Sequence, residues 1–182
     1  MMASILTLLL FLVPQAKQLI DNQRVTVWES TGQVPENAGS DRVVVDLAKP
    51  GDAVFVKKGE PLPKRPHAIV IAIKDVKIAP TPNNTRYPLA FPRDGVKKVL
   101  ENDRVIIWDY TWIKGRPTVM HFHDKDVVVV YMADGKLKST TVDGMSTIND
   151  LTFGKTTFNA PNRTHSEELV EGSARAVITE FK

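Results

Sequence analysis

The chain contains no cysteine, so no disulfide can hold it and its stability must come from a packed core. Nor does it have a cluster of lysines and arginines. Its 24 basic residues are scattered against 21 acidic ones, for a net charge of +3, which argues against a nucleic-acid partner. Charge is missing altogether from residues 1–15, where residues 5–13 form an apolar run broken only by Thr7. Such a run is too short to cross a bilayer, which takes about 20 residues. It suits the hydrophobic region of a signal peptide cleaved near Ala16, although no Lys or Arg precedes it. The alternatives are an N-terminal hydrophobic strand and a short membrane-associated tail. We take residues 1–16 as a signal peptide, which makes the mature protein secreted or periplasmic, with no membrane span after cleavage. Export without disulfides fits a bacterial envelope protein better than a disulfide-stapled secretory one. Also absent are a nucleophile elbow, a P-loop, a dinucleotide fingerprint and a carboxylate pair.

Helical periodicity is scarce after residue 20. In its place stand short runs rich in Val, Ile, Tyr and Trp, separated by Gly, Pro, Asn and Asp. Residues 24–28, 42–47, 68–73, 104–113, 118–123, 127–132 and 176–181 are the predicted strands, which makes the chain all-β, a sandwich or barrel. The run 127–130 is Val throughout, so it predicts a central strand buried on both faces. With 42 % apolar residues, a core of useful size can form.

Two parts of the chain resemble each other. Residues 22–31 (NQRVTVWEST) and 102–111 (NDRVIIWDYT) agree at five of ten positions. Residues 41–45 (DRVVV) match 126–130 (DVVVV), and 63–67 and 161–165 both read Pro-x-Arg-x-His. Three matches in one order indicate an internal duplication. They divide the chain into an N-terminal repeat (17–79), a Pro-rich connector (80–99) and a C-terminal unit (100–182). Either the repeats pack sheet against sheet, or a long N-terminal extension lends strands to one barrel; the repeat favours the first.

The four histidines are His67, His121, His123 and His165. His121 and His123 stand two apart on a predicted strand, so both imidazoles point to one face, and neutral imidazole is a common metal ligand. Gly115, His121-x-His123 and Gly135 resemble the first motif of the cupin superfamily; Gly154, Pro161 and His165 resemble the second. The likeness covers residues 100–182. It implies a jelly-roll cupin β-barrel in two cupin-like repeats, with a divalent metal ion (Fe, Mn, Ni, Cu or Zn) held by His121, His123 and His165. The family's glutamate is missing: Val127 and Val128 occupy its place, and Asp126 falls one residue early. Arg163 replaces the second motif's usual glycine, and His165 comes one residue early. Three neutral ligands would leave the ion's charge uncompensated and favour an anionic or bidentate oxygen ligand. His67 has no His-x-His partner, residues 34–40 occupying that place, so the first repeat is expected to hold no metal.

Trp108, Tyr110 and Trp112 share one strand face, where they line a pocket or fill the core; Trp28 in the metal-free repeat favours the core for Trp108. Arg163, two before His165, is expected on the cavity face, where a guanidinium can hold a carboxylate, or on the solvated rim. Arg65 repeats its position in the first unit. If the protein is an enzyme, the resemblance implies a metal-dependent dioxygenase or isomerase acting on a small oxygen-bearing molecule, with Arg163 orienting it and Tyr110 donating a proton. The alternative is a non-catalytic ligand-binding or structural module with a vestigial site. Cupins commonly pair through sheet edges, so a homodimer is a further expectation.

Overall fold

The computed structural model describes residues 16–32 and 39–182. Residues 1–15 of the expected signal peptide lie outside the described residues, as do residues 34–38 of the segment expected to replace the His-x-His pair. Among the described residues there are fourteen strands in three antiparallel sheets and no helix. The first sheet runs β1 (Ala16–Asp21), β2 (Val25–Ser30), β5 (Ala68–Ile73), β3 (Asp41–Asp46) and β4 (Ala53–Val56). The middle sheet has β6 (Val96–Glu101), β7 (Val105–Trp112), β14 (Ala174–Phe181), β9 (Val127–Tyr131) and β12 (Thr156–Asn159). The third comprises β8 (His121–His123), β13 (Arg163–Gly172), β10 (Gly135–Thr141) and β11 (Ser146–Leu151).

The first two sheets repeat one pattern strand for strand. In the first hairpin Gln18 faces Trp28 and Ile20 faces Val27 across a bulge; in the second, Lys98 faces Trp108 and Leu100 faces Ile107 across the same bulge. The turns are built alike too. Asn22 Oδ1 accepts the backbone N–H groups of Arg24 and Val25, and Asn102 Oδ1 those of Arg104 and Val105, all at 2.8–2.9 Å. Short amide side chains close turns in this way, which explains the shared Asn-x-Arg-Val. The DRVVV/DVVVV match is equally real: β3 pairs with β5 as β9 pairs with β14.

The third match is not an equivalent position. His67 leads into β5, whose counterpart is β14, whereas His165 lies within β13 of the third sheet. The counterpart of His67 is Arg175. His67 Nε2 meets Glu29 at 2.8 Å, and Arg175 meets Asp109 at 2.7 Å, so both positions carry a cross-strand pair to equivalent acids.

Side chains alternate across a strand, and here both faces of the middle sheet are used. Val105, Ile107, Val128, Val130, Val177 and Phe181 pack on Val25, Val27, Val43, Val45, Ile69, Ile71 and Ile73 of the first sheet. Each such side chain, fully buried, contributes about 1.5–3 kcal/mol. On the other face Trp108, Trp112, Val127, Val129 and Ile178 meet Leu137, Leu151 and Leu169 of the third sheet. The middle and third sheets thus enclose a jelly-roll barrel of the cupin type, and the first sheet covers its outer face. The run 127–130 is buried on both faces, as its sequence predicts. The expected strand 118–123 is regular only at His121–His123. The expected connector ends inside β6, and its middle runs beside β8: Ala90 N–H donates to Phe122 O and Phe122 N–H to Pro88 O, both at 2.8 Å.

Candidate metal centre

The register of two strands assembles the site. On β8 and β13, Arg163 faces His123 and His165 faces His121, so alternation turns all four side chains to one face. The imidazole centroids lie 4.9–5.1 Å apart, and one nitrogen from each ring falls within 4.8 Å of the other two. His123 Nε2 and His165 Nε2 are 3.2 Å apart. With metal–nitrogen bonds of about 2.1 Å, that separation subtends roughly 100° at a shared ion, between octahedral and tetrahedral angles. His121 Nδ1–H donates to Val119 O at 2.8 Å; a metal-ligating histidine commonly fixes its tautomer through such a bond. The three residues therefore fit a divalent ion.

Burial keeps the rings neutral. It pulls His121 down to about 4, assisted by the nearby Arg93 charge. His123 is lowered further by burial and by Arg163, and burial lowers His165 as well. A neutral imidazole offers its lone pair without first losing a proton.

His123 and His165 border a cavity of about 210 Å³ inside the barrel. Trp112 and Tyr131 form part of its wall, and three cationic side chains, Arg93, Lys155 and Arg163, reach it against one carboxylate, Glu167. Arg163 takes the cavity face, as alternation predicts. Its Nε–H donates to Ala160 O at 2.7 Å, while one of its terminal nitrogens is buried without a partner. Tyr110 is placed beside this cavity, not in it: it borders a second hollow, and Arg93 lines both. Trp108 is a core residue, its Nε1–H donating to Glu180 at 2.7 Å, whereas Trp112 lines the cavity. Asp126 is turned away from the histidines and pairs with Arg24 at 3.4 Å. Arg65 binds Asp46 and Asp52 in the first sheet.

Two site residues are not identified by the sequence reasoning. Glu167 follows His165 by two on β13, and alternation alone would have placed it on the cavity face. Its Oε2 accepts Trp112 Nε1–H at 3.0 Å and Arg93 at 3.2 Å, while Oε1 stands 3.9 Å from His165 Nε2. Burial opposes its charge, but Arg93, the histidines and the Trp112 bond together hold its carboxyl below the usual value. Arg93 comes from the connector, and no local pattern marks it. Its guanidinium rests over Tyr110 (4.2 Å) and Phe91 (4.9 Å) and touches the His121 ring. Because one of its nitrogens is 3.0 Å from Nε2 and 3.4 Å from Nδ1, it lies against the side of that ring and not along either lone pair.

The fold and the cluster define a cupin-type barrel with a three-histidine centre in its C-terminal half. Solved structures similar to the chain include a cupin domain from Bordetella pertussis Tohama I, 26 % identical over 54 % of this chain and 98 % of its own, with a TM-score of 0.45. A cupin 2 conserved barrel domain protein from Leptotrichia buccalis is 12 % identical, covers 94 % of this chain and 90 % of its own, and has a TM-score of 0.49. An RmlC-like cupin from Methanocaldococcus jannaschii with a double-stranded β-helix fold is 12 % identical over 59 % of this chain and 92 % of its own, at a TM-score of 0.41. No protein-family model matches the chain, and a search of the curated proteins finds no relative.

Proposed function

We propose that the protein binds one divalent metal ion through His121, His123 and His165 and takes a small oxygen-bearing acid into the adjoining cavity, oxidising it with dioxygen or isomerising it. The observation that carries the metal reading is the convergence of three neutral imidazoles, two buried and one partly buried, with donor atoms at the spacing of a shared ion. A bound divalent ion supplies Lewis acidity toward a carbonyl or carboxylate oxygen. The protein's own residues do the rest. Arg163, with a buried guanidinium nitrogen unpartnered, orients an anionic group, and Lys155 adds a second positive charge at the wall. Trp112 and Tyr131 form an aromatic wall against a flat ligand. Tyr110, expected from the sequence to donate a proton, borders the second hollow behind Arg93 and takes no part in this scheme. With the apolar run of residues 5–13, the reading extends to an exported protein.

The test is elemental analysis of the tag-free protein beside its His121→Ala/His123→Ala variant. About one metal per chain, lost in the variant while the fold persists, is the expected result. Metal absent from both after incubation with Fe(II), Mn(II), Ni(II) and Zn(II) overturns it. A second reading, a metal-free anion-binding module, draws on the excess of cationic side chains around the cavity. Thermal stabilisation by small carboxylates that persists in a chelator favours that reading, since a ligand of the native state raises its stability.

A further inference from the structure

We infer that Glu167 is the carboxylate ligand of this centre, delivered from β13 in place of the residue that Val127 and Val128 displace on β9. The inference rests on the metal reading and adds an anionic ligand to it. Glu167 shares the inward face of β13 with Arg163 and His165, and it faces Ser139 of β10, another cavity residue. Its two oxygens are differently engaged. Oε2 is fixed by Trp112 Nε1–H and by Arg93, whereas the contact of Oε1 is the 3.9 Å approach to His165 Nε2. Two donors on one ion, each about 2.1 Å from it, stand at most about 4.2 Å apart, so that separation already lies within reach of a shared ion. Among the described residues the donor atoms within 4.8 Å of one another are those of the three histidines, so Glu167 joins them by moving: its terminal carboxylate torsion is soft, and a turn about it shifts Oε1 while drawing Oε2 off Trp112 and Arg93.

Arg93 gives the arrangement a second consequence. Its guanidinium, stacked on Phe91 and Tyr110, neutralises Glu167 and lies beside His121. A cation held there repels an incoming metal ion and competes with it for the carboxylate. Arg93 is therefore a positioning residue that weakens metal binding, and Glu167 a ligand that strengthens it. A charge that stands near the ion without coordinating it also shifts affinity, so the ligand role is read from the Co(II) spectrum: loss of a coordinating carboxylate changes it, and loss of a neighbouring ion pair does not.

The experiment is titration of the apo-protein with Mn(II), Co(II) and Zn(II) by calorimetry, for the wild type, Glu167→Gln and Arg93→Met, with the visible spectrum of the Co(II) forms recorded alongside. Glu167→Gln keeps the side-chain volume and an acceptor for Trp112. It is expected to lower affinity by about tenfold or more and to change the Co(II) spectrum; Arg93→Met is expected to raise affinity. Equal affinity and identical spectra in all three proteins overturn the inference and leave the histidine site standing. Loss of affinity in both variants overturns it as well. Uptake by Arg93→Met where the wild type takes up little supports it. No uptake by any of the three overturns it together with the metal reading. Should Glu167→Gln fail to fold, the Co(II) spectrum of Glu167→Asp decides: a spectrum unlike the wild type's supports the inference and an identical one overturns it.

Discussion

Arg24 offers a direct test of whether the first sheet and the barrel form one cooperative unit. It precedes β2, is 2 % exposed, and reaches across to the barrel half of the chain. Its Nε meets Asp126 at 3.4 Å, and a terminal nitrogen donates to Lys182 O at 2.9 Å. The guanidinium also lies 5.4 Å from the centre of the Phe181 ring. Asp126 is 4 % exposed, so Arg24→Met leaves a buried carboxylate without its cation. Breaking a buried pair from one side costs about 3–5 kcal/mol. For a protein of this size each kcal/mol lowers the melting temperature by about 2–4 °C, so the expected fall is roughly 6–20 °C by calorimetry.

The pH dependence has a definite sign. Burial, against the opposing pull of Arg24, raises the Asp126 carboxyl above its ordinary 3.8, so the folded chain holds this proton more tightly than the unfolded chain. Its contribution is greatest below 3.8 and declines as pH climbs through the raised folded value. Removing Arg24 raises that value further, so the deficit of Arg24→Met is expected to be full near neutral pH and to shrink toward about pH 4. The double variant Arg24→Met/Asp126→Leu is expected to recover most of the loss at neutral pH. A loss below about 1 kcal/mol in Arg24→Met, or one independent of pH, refutes the reasoning.

Two further outcomes follow from packing. A Cβ at Gly135 would stand 2.3 Å from Ser173 O and 2.8 Å from Glu171 O, both backbone atoms that cannot turn aside, so Gly135→Ala is expected to cost about 1–3 kcal/mol in urea unfolding. Trp108→Phe removes the N–H that serves Glu180, which is 3 % exposed and whose carboxyl burial already pushes upward; a loss of about 1–3 kcal/mol at neutral pH is expected, smaller in acid, and adding Glu180→Gln should abolish that pH difference.

The strands legible in the sequence were those with apolar side chains on both faces. β5, β7, β9 and β14 belong to sheets covered by another layer or by chain on each side, and Val, Ile and Trp fill both sets of alternate positions. Of the third sheet only β8 falls within a predicted strand; β10 and β11 are largely polar, and five of the six residues of β11 are exposed. The sheet's inward residues, Leu137, Leu151 and Leu169, are too few and too far apart to show a period. The site divided along the same line. His121, His123, His165 and Arg163 were legible because spacing by two fixes a shared face within a strand. Glu167 obeys the same rule, but the motif places its carboxylate at the start of β9, and nothing in the motif points to β13. Arg93 obeys no local rule, since its position comes from the long-range bonds of the connector to Phe122.

The duplication also explains why one half carries the site. The shared pattern covers the five-stranded sheet and its hairpin turns, down to the pairing of Glu29 with His67 and of Asp109 with Arg175. Every histidine of the cluster lies instead on β8 and β13, strands of the third sheet, which has no counterpart among the described residues of the first half. A His-x-His pair needs a facing strand at fixed register to become a three-point site, and β13 supplies it through the pairing of His165 with His121. Among the described residues the first sheet has no such partner layer, and it buries its Val and Ile face on the outside of the barrel. The first half therefore braces the middle sheet from behind, and the second half turns that sheet's other face toward the histidines.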